Sequence, residues 1–217
     1  MIDGVAIDVD AEAVVVTARH PLHVVSSAVV GGGLAEARAL INVHVPKGFH
    51  AEDATDVLGG FARRRGVPTP WVGLLTAAAT EHAERADVAA AGLRACAIVT
   101  VGLSNRSAAG RSAAAAWCPS TINTILIVDA APEPAALVNL VITATEVKAL
   151  ALAGAGVRTD DGEPASGTST DAVVVAATGR GPRCRFGGPV SELGACAAAA
   201  VREAMERGVR RWLEAHP

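Results

Sequence analysis

Four short polar clusters interrupt stretches whose composition otherwise suits burial: TVGLSN at 100–105, STINTILIVD at 120–129, ITATEVKALAL at 142–152 and GTSTDAVVVAA at 167–177. Burying a hydroxyl, amide or charged group costs on the order of 1–3 kcal/mol unless it finds a partner, so these residue types inside apolar runs mark a candidate site. Asn105 and Asn123 suit a carbonyl oxygen on which negative charge develops. Glu146 is the candidate base, because burial raises a carboxyl pKa toward neutrality, with Lys148 or Asp171 tuning it. Thr121, Thr145, Thr168 and Thr170 offer hydroxyls that bind a substrate or attack it, and Asn42, Thr76 and Ser104 extend the binding set. Ser26 and Ser27, followed by Gly31, Gly32 and Gly33, would shape the mouth of the site. The set suits two tasks: hydrogen bonding to a ligand rich in amides, or hydrolysis of an acyl bond by a carboxylate base beside an amide-lined oxyanion site. The purely structural alternative pairs Glu146 and Lys148 with Asp171 and another loop.

Other chemistries find little support. The chain has no GxxxxGK[ST], GxSxG or HExxH and no strand-bound GxGxxG. His20 and His23 stand three apart without carboxylate or cysteine partners at ligand spacing, and His44 reads as a packed core histidine, so no metal and no cofactor are expected. The formal charge is −3, and the one basic cluster, Arg63, Arg64 and Arg65, suits a solvated helix end, which argues against nucleic acid. Only Lys47 and Lys148 are lysines among 19 basic residues, so a lysine within an apolar helix stands out. Cys96, Cys118, Cys184 and Cys196 lack CxxC spacing and read as reduced, mostly buried thiols. The N-terminus lacks the basic and apolar regions of a secretory signal. The most apolar span, 135–155, carries Asn139, Glu146 and Lys148, which are costly in hydrocarbon. A cytoplasmic protein is expected.

The elements that must position these residues follow from periodicity. With 51% hydrophobic and only 3% aromatic residues, close backbone packing of alanine and valine has to build the core. Strands are expected at 5–8, 13–17, 24–30, 40–45, 96–103, 122–128 and 172–177, the last three apolar on both faces. Helices are expected at 51–65, 132–154 and 189–216, with Ser191 as a cap. Within the second, Glu146 and Lys148 lie roughly 200° apart around the axis and cannot pair with each other. If the connection 104–120 returns the chain antiparallel, Asn105 stands near Thr121 and Asn123 at one sheet edge. The pattern predicts one α/β (α+β) domain over 1–217, a layered fold with a mixed β-sheet packed by helices.

Seven collinear motifs then acquire a common meaning. SSAVVGGG at 26–33, GLLTAA at 73–78, TVGLSN followed by AAG at 108–110, TINTILIVD, LVNLVITATEVKALAL, GTSTDAVVVA and GPVSELG together resemble the adenosylcobinamide amidohydrolase family of corrinoid salvage, over nearly the whole chain. The chain carries Ser120, Val147 and Ser169 where the family pattern has Gly, Ala and Gly. The resemblance implies hydrolysis of the amide joining the aminopropanol arm of adenosylcobinamide to the corrin ring, giving adenosylcobyric acid. The corrinoid is the substrate, and neither nucleic acid nor a membrane is an expected partner. The roles assigned to residues above come from chemistry and not from the resemblance. Two alternatives stay open: a non-catalytic corrinoid-binding or regulatory protein, and an acyltransferase or self-cleaving hydrolase with a threonine nucleophile. A homo-oligomer is compatible with either.

Overall fold

The computed structural model describes residues 1–49, 54–114 and 121–216. Cys118, Ser120 and the expected first turn of the helix at 51–53 lie outside the described residues. In chain order the elements are β1 (Val5–Val9), β2 (Ala13–Ser26), β3 (Gly33–His44), α1 (Ala54–Arg65), β4 (Trp71–Thr76), β5 (Glu84–Ala90), β6 (Leu93–Val101), β7 (Arg106–Ser107), β8 (Ile122–Val128), β9 (Ala131–Pro132), α2 (Pro134–Gly154), β10 (Gly167–Thr168), β11 (Ala172–Ala177), β12 (Arg183–Cys184) and α3 (Glu192–Ala215).

Eight strands form one mixed sheet in the order β4-β3-β2-β11-β8-β6-β5, with β1 pairing to β2. The β3–β4 and β8–β11 pairs are parallel and the remaining neighbours antiparallel. Side-chain parity shows that the sheet folds over on itself. Cys96 and Ile98 of β6, Ile125 and Ile127 of β8 and Val174 and Ala176 of β11 share one core with Val14 and Val16 of β2, Leu40 of β3 and Leu74 of β4. Intervening residues of the same strands point outward: Ala97, Leu126 and Val175 meet α2 and α3, while Val15, Ile41 and Val43 meet Leu58 and Phe61 of α1. Two β-layers are thus sandwiched between helical layers, and mixed α/β is the architecture expected from the sequence.

The long strand β2 belongs to both halves. It pairs with β3 along nearly its whole length and with β11 over its last four residues. Its register shifts between Thr17 and Leu22, around Pro21, which lacks the N–H a regular ladder needs. The strands expected at 13–17 and 24–30 are therefore mostly one strand, and Val29 and Val30 fall in the loop beyond it. The bounds expected for β8 and β11 match the structure, and α3 opens with Ser191 Oγ accepting the Gly194 N–H at 3.0 Å.

α2 is long and apolar enough to cross a membrane by length and composition alone. Here it packs on α3 and β11 through Leu137, Leu140, Ala144 and Leu152. Alanines and glycines let these layers approach closely. At Gly208 of α3, a Cβ would stand 2.7 Å from Val101 Cγ2 of β6.

Candidate active site

Four polar residues continue the interior stripe at one end of the sandwich: Asn42 on β3, Thr76 on β4, Thr100 on β6 and Asn123 on β8. All are 1–2% exposed. The expected antiparallel return is present, since Thr100 faces Asn123 across the β6–β8 ladder, and Asn123 faces Ala172 at the entrance of β11. Strand ends from both halves therefore meet at one place.

The hydrogen bonds there have a defined direction. Asn123 Nδ2 donates to the Leu75 carbonyl at 2.9 Å and to Asn42 Oδ1 at 2.8 Å. A backbone carbonyl can only accept, so this contact fixes which way the Asn123 amide faces. Asn42 in turn donates from Nδ2 to Thr100 Oγ1 at 3.0 Å. Both N–H bonds of Asn123 are committed, leaving its Oδ1 to face Thr121. Thr121 Oγ1 lies 3.1 Å from Asn123 Oδ1 and 2.7 Å from the Thr170 carbonyl. A hydroxyl has one hydrogen for these two acceptors and keeps lone pairs for chemistry.

A second cluster pins the backbone beside Thr121. The Asp171 carboxylate accepts from the Ile122 N–H at 2.9 Å, from the Thr168 N–H at 3.0 Å, from the Thr168 hydroxyl and from Lys148 Nζ. Lys148 is 8% exposed, and four donors saturate the carboxylate, which is how a buried ion pair offsets its desolvation. Glycine is required at Gly167, where a Cβ would stand 2.7 Å from Lys148 Nζ and closer still to Asp171 Oδ2.

Between the two clusters opens a cleft of about 120 Å³, with polar walls from Ser27, Thr76, Thr121, Asn123, Thr170 and Asp171 and apolar ones from neighbours such as Leu74 and Leu75. Ser27 Oγ accepts the Val173 N–H at 3.0 Å and Thr76 Oγ1 accepts the Ala78 N–H at 3.0 Å. Their hydroxyl hydrogens are thereby oriented to donate elsewhere.

Several expected site residues stand apart from the cleft. Glu146 and Thr145 are exposed on α2, and the Thr145 hydroxyl bonds back to the Val141 carbonyl at 2.8 Å. Because Lys148 turns inward to Asp171, Glu146, about 200° away around the helix, faces solvent. The burial on which its role as base rested is absent. Asn123 is an acceptor toward the cleft, not the carbonyl-holding donor expected of it. Asn105 Nδ2 donates to Ser169 Oγ at 2.7 Å, beside the Thr170 turn but off the cleft wall. Ser26 Oγ accepts the Ala28 N–H, and Gly31 and Gly32 serve the turn: Gly31 has φ +71° and packs on the Trp71 carbonyl, while a Cβ on Gly32 would strike the Ala28 carbonyl. Gly33 opens β3 with φ +89°, and Ser104 lines a separate cavity. Thr168 is buried against Asp171. Missed by sequence reasoning were Thr100 and the Leu75 carbonyl, although Thr100 shares the inward parity of Cys96 and Ile98. Among the described residues, no group of three or more His, Cys, Asp or Glu side chains is placed to hold a metal ion.

A folded-over mixed sheet between helices, with a buried hydroxyl–amide network opening on a small cleft, defines a layered α/β protein with a hydroxyl-lined candidate active site. A profile of the adenosylcobinamide amidohydrolase family matches residues 1–217, and the chain belongs to that family. It is 31% identical over 196 residues to an adenosylcobinamide amidohydrolase of Methanosarcina mazei, covering 85% of this chain and 87% of the relative. A Halobacterium salinarum protein of the same name is 35% identical over 187 residues, covering 80% and 74%. Among solved structures, the PH0078 protein of Pyrococcus horikoshii OT3 superposes with a TM-score of 0.51 at 14% identity, over 97% of this chain and 80% of that one, a likeness of fold.

Proposed function

We propose that this chain hydrolyses the amide that joins the aminopropanol arm of adenosylcobinamide to the corrin, releasing aminopropanol and adenosylcobyric acid, as a cytoplasmic step of corrinoid salvage. Family membership supports the substrate. The observation that carries the chemistry is the Thr121 hydroxyl, presented to the cleft by two acceptors while Asp171 fixes the next peptide N–H. In this reading Thr121 Oγ adds to the carbonyl carbon, its proton passes to the departing amine, and water then releases the acid from the threonine ester. The hydroxyls of Ser27 and Thr76 hold the carbonyl oxygen, and Asn123 orients Thr121 through its Oδ1.

Thr121→Ala is expected to lower aminopropanol release from adenosylcobinamide by roughly 10³-fold or more, and Thr121→Ser to retain part of it. Glu146→Gln, on the solvent face of α2, is expected to leave turnover unchanged. Full activity in Thr121→Ala would remove the nucleophile. Substrate binding by the wild type without release would favour the non-catalytic corrinoid-binding alternative.

One observation favours a variation on this theme. Thr121 is clamped on its C-terminal side, its carbonyl accepting the Gly102 N–H at 3.0 Å and the adjoining Ile122 N–H held by Asp171. A cut before Thr121 would leave an anchored N-terminal threonine whose own amine is the base. The intact mass of the purified protein decides: one chain of 217 residues argues against the cut, two fragments for it.

A further inference from the structure

The cleft of about 120 Å³ accommodates an amide and its short arm, but not a corrin with a nucleoside on its upper face. A larger cavity of about 300 Å³ adjoins it, with Ala77 in the walls of both. Gly102 ties the two further, since it lines the larger cavity while its N–H holds the Thr121 carbonyl. The two spaces therefore lie on either side of one seam, made by the end of β4 and the end of β6.

The walls of the larger cavity have a definite chemistry. Trp212 and His216, one turn apart near the end of α3, stack with ring centroids 4.2 Å apart and planes 7° from parallel. His216 Nδ1 lies 2.9 Å from the Trp212 carbonyl, and Arg211 is anchored by Nε to Glu84 at 2.8 Å. Lys47, His82 and Ser104 add hydrogen-bonding groups, and Gly102, Gly208 and three consecutive alanines at 77–79 keep the remaining wall low. The outer face of a stacked aromatic pair, with hydrogen-bonding groups and small residues in the same walls, matches a heteroaromatic ring rich in acceptor nitrogens that carries a sugar. An aliphatic or purely anionic ligand would leave the ring pair unused.

We infer that this cavity, lined by Trp212, His216 and Lys47, is a nucleoside subsite that receives the adenosyl group of the corrinoid while its amide arm occupies the Thr121 cleft. The inference rests on the amide-hydrolase reading for the identity of the ligand, but on its own geometry for the class of ligand. Substrate would be held at two points on either side of the seam, so removal of the nucleoside weakens binding without altering the bond-breaking groups.

The test uses 5′-deoxyadenosine as the probe, titrated calorimetrically into the full chain, with hydrolysis of adenosylcobinamide measured in parallel. Trp212→Leu, His216→Ala and Lys47→Ala are compared with the wild type; the last two change exposed side chains, so they report even if Trp212→Leu unfolds. The wild type is expected to bind the nucleoside, Trp212→Leu and His216→Ala to bind it roughly 5- to 100-fold more weakly, the span that base–aromatic stacking covers, and Lys47→Ala roughly 2- to 10-fold more weakly, the worth of one hydrogen bond. KM for adenosylcobinamide should rise in step while kcat holds. A wild type that does not bind the nucleoside, variants that bind it equally well, or a fall in kcat at constant KM each overturns the subsite. If the wild type releases no aminopropanol yet binds the nucleoside better than the variants, the amide-hydrolase reading fails and the subsite stands.

Discussion

Asn123 illustrates how direction, and not only proximity, decides what a residue can do. Its type and position suggest an amide that donates to a carbonyl, yet the Leu75 carbonyl and Asn42 take both of its hydrogens, and its oxygen is what the cleft receives. On the proposed reading Asn42 is thus a positioning residue for Thr121, two hydrogen bonds removed from it. Asn42→Leu leaves one Asn123 hydrogen without its acceptor, at a cost of about 1–3 kcal/mol in urea unfolding. It is also expected to lower kcat more than it raises KM, and unchanged kcat would show that the network serves stability alone. At this scale the sequence revealed which side chains bear chemistry, because hydroxyls and amides are conspicuous among valines. It did not reveal where Glu146 points. α2 is apolar almost all round, so hydrophobicity alone does not select its inner face, and the partner that turns Lys148 inward is 23 residues further along the chain.

At the scale of elements, the Lys148–Asp171 pair couples α2, the β10–β11 turn and the start of β8. Removing one partner of such a buried pair strands the other. Lys148→Ala is accordingly expected to cost about 3–5 kcal/mol in chemical denaturation, whereas Lys148→Met with Asp171→Asn should recover much of that loss. Gly167→Ala should mimic the single loss by forcing the pair apart; wild-type stability in that variant would place Gly167 outside the contact. β8 and β11 were legible because strands covered on both faces read as unbroken apolar runs. β5 was not: ERADVAA at an edge is rich in poor strand formers, and it is held by its ladder to β6 and by α3 laid across it. The join of two expected strands into β2 was hidden by Pro21, which reads as a break but sits where the register slips.

For the molecule as a whole, two ion pairs on its periphery contribute stability that acid removes. Burial would raise the Asp87 carboxyl pKa, but hydrogen bonds from Arg85 and the nearby N-terminal ammonium outweigh it and leave it below the usual range. A group with a lowered folded pKa stabilises the protein above its unfolded pKa of about 4, and that stability is lost as the pH falls through the folded value. At Asp10 desolvation is likewise outweighed, by Arg65 and by the backbone N–H groups of the β1–β2 turn, and the sign is the same. Asp87→Asn should therefore flatten the decline of melting temperature below about pH 4 and bring the neutral-pH value down toward it; an unaltered acid limb would assign the decline to other carboxylates.

The unbroken run of β2 through both halves has a consequence for how a bulky macrocycle can be handled. A sandwich whose leaves share one strand as their spine does not open like a book to swallow a disc. On the proposed reading the disc lies against the fore-edge and passes in only its pendant groups, the amide arm and the nucleoside, so the ring's far rim goes unread and discrimination among corrinoids comes from what hangs on the near side.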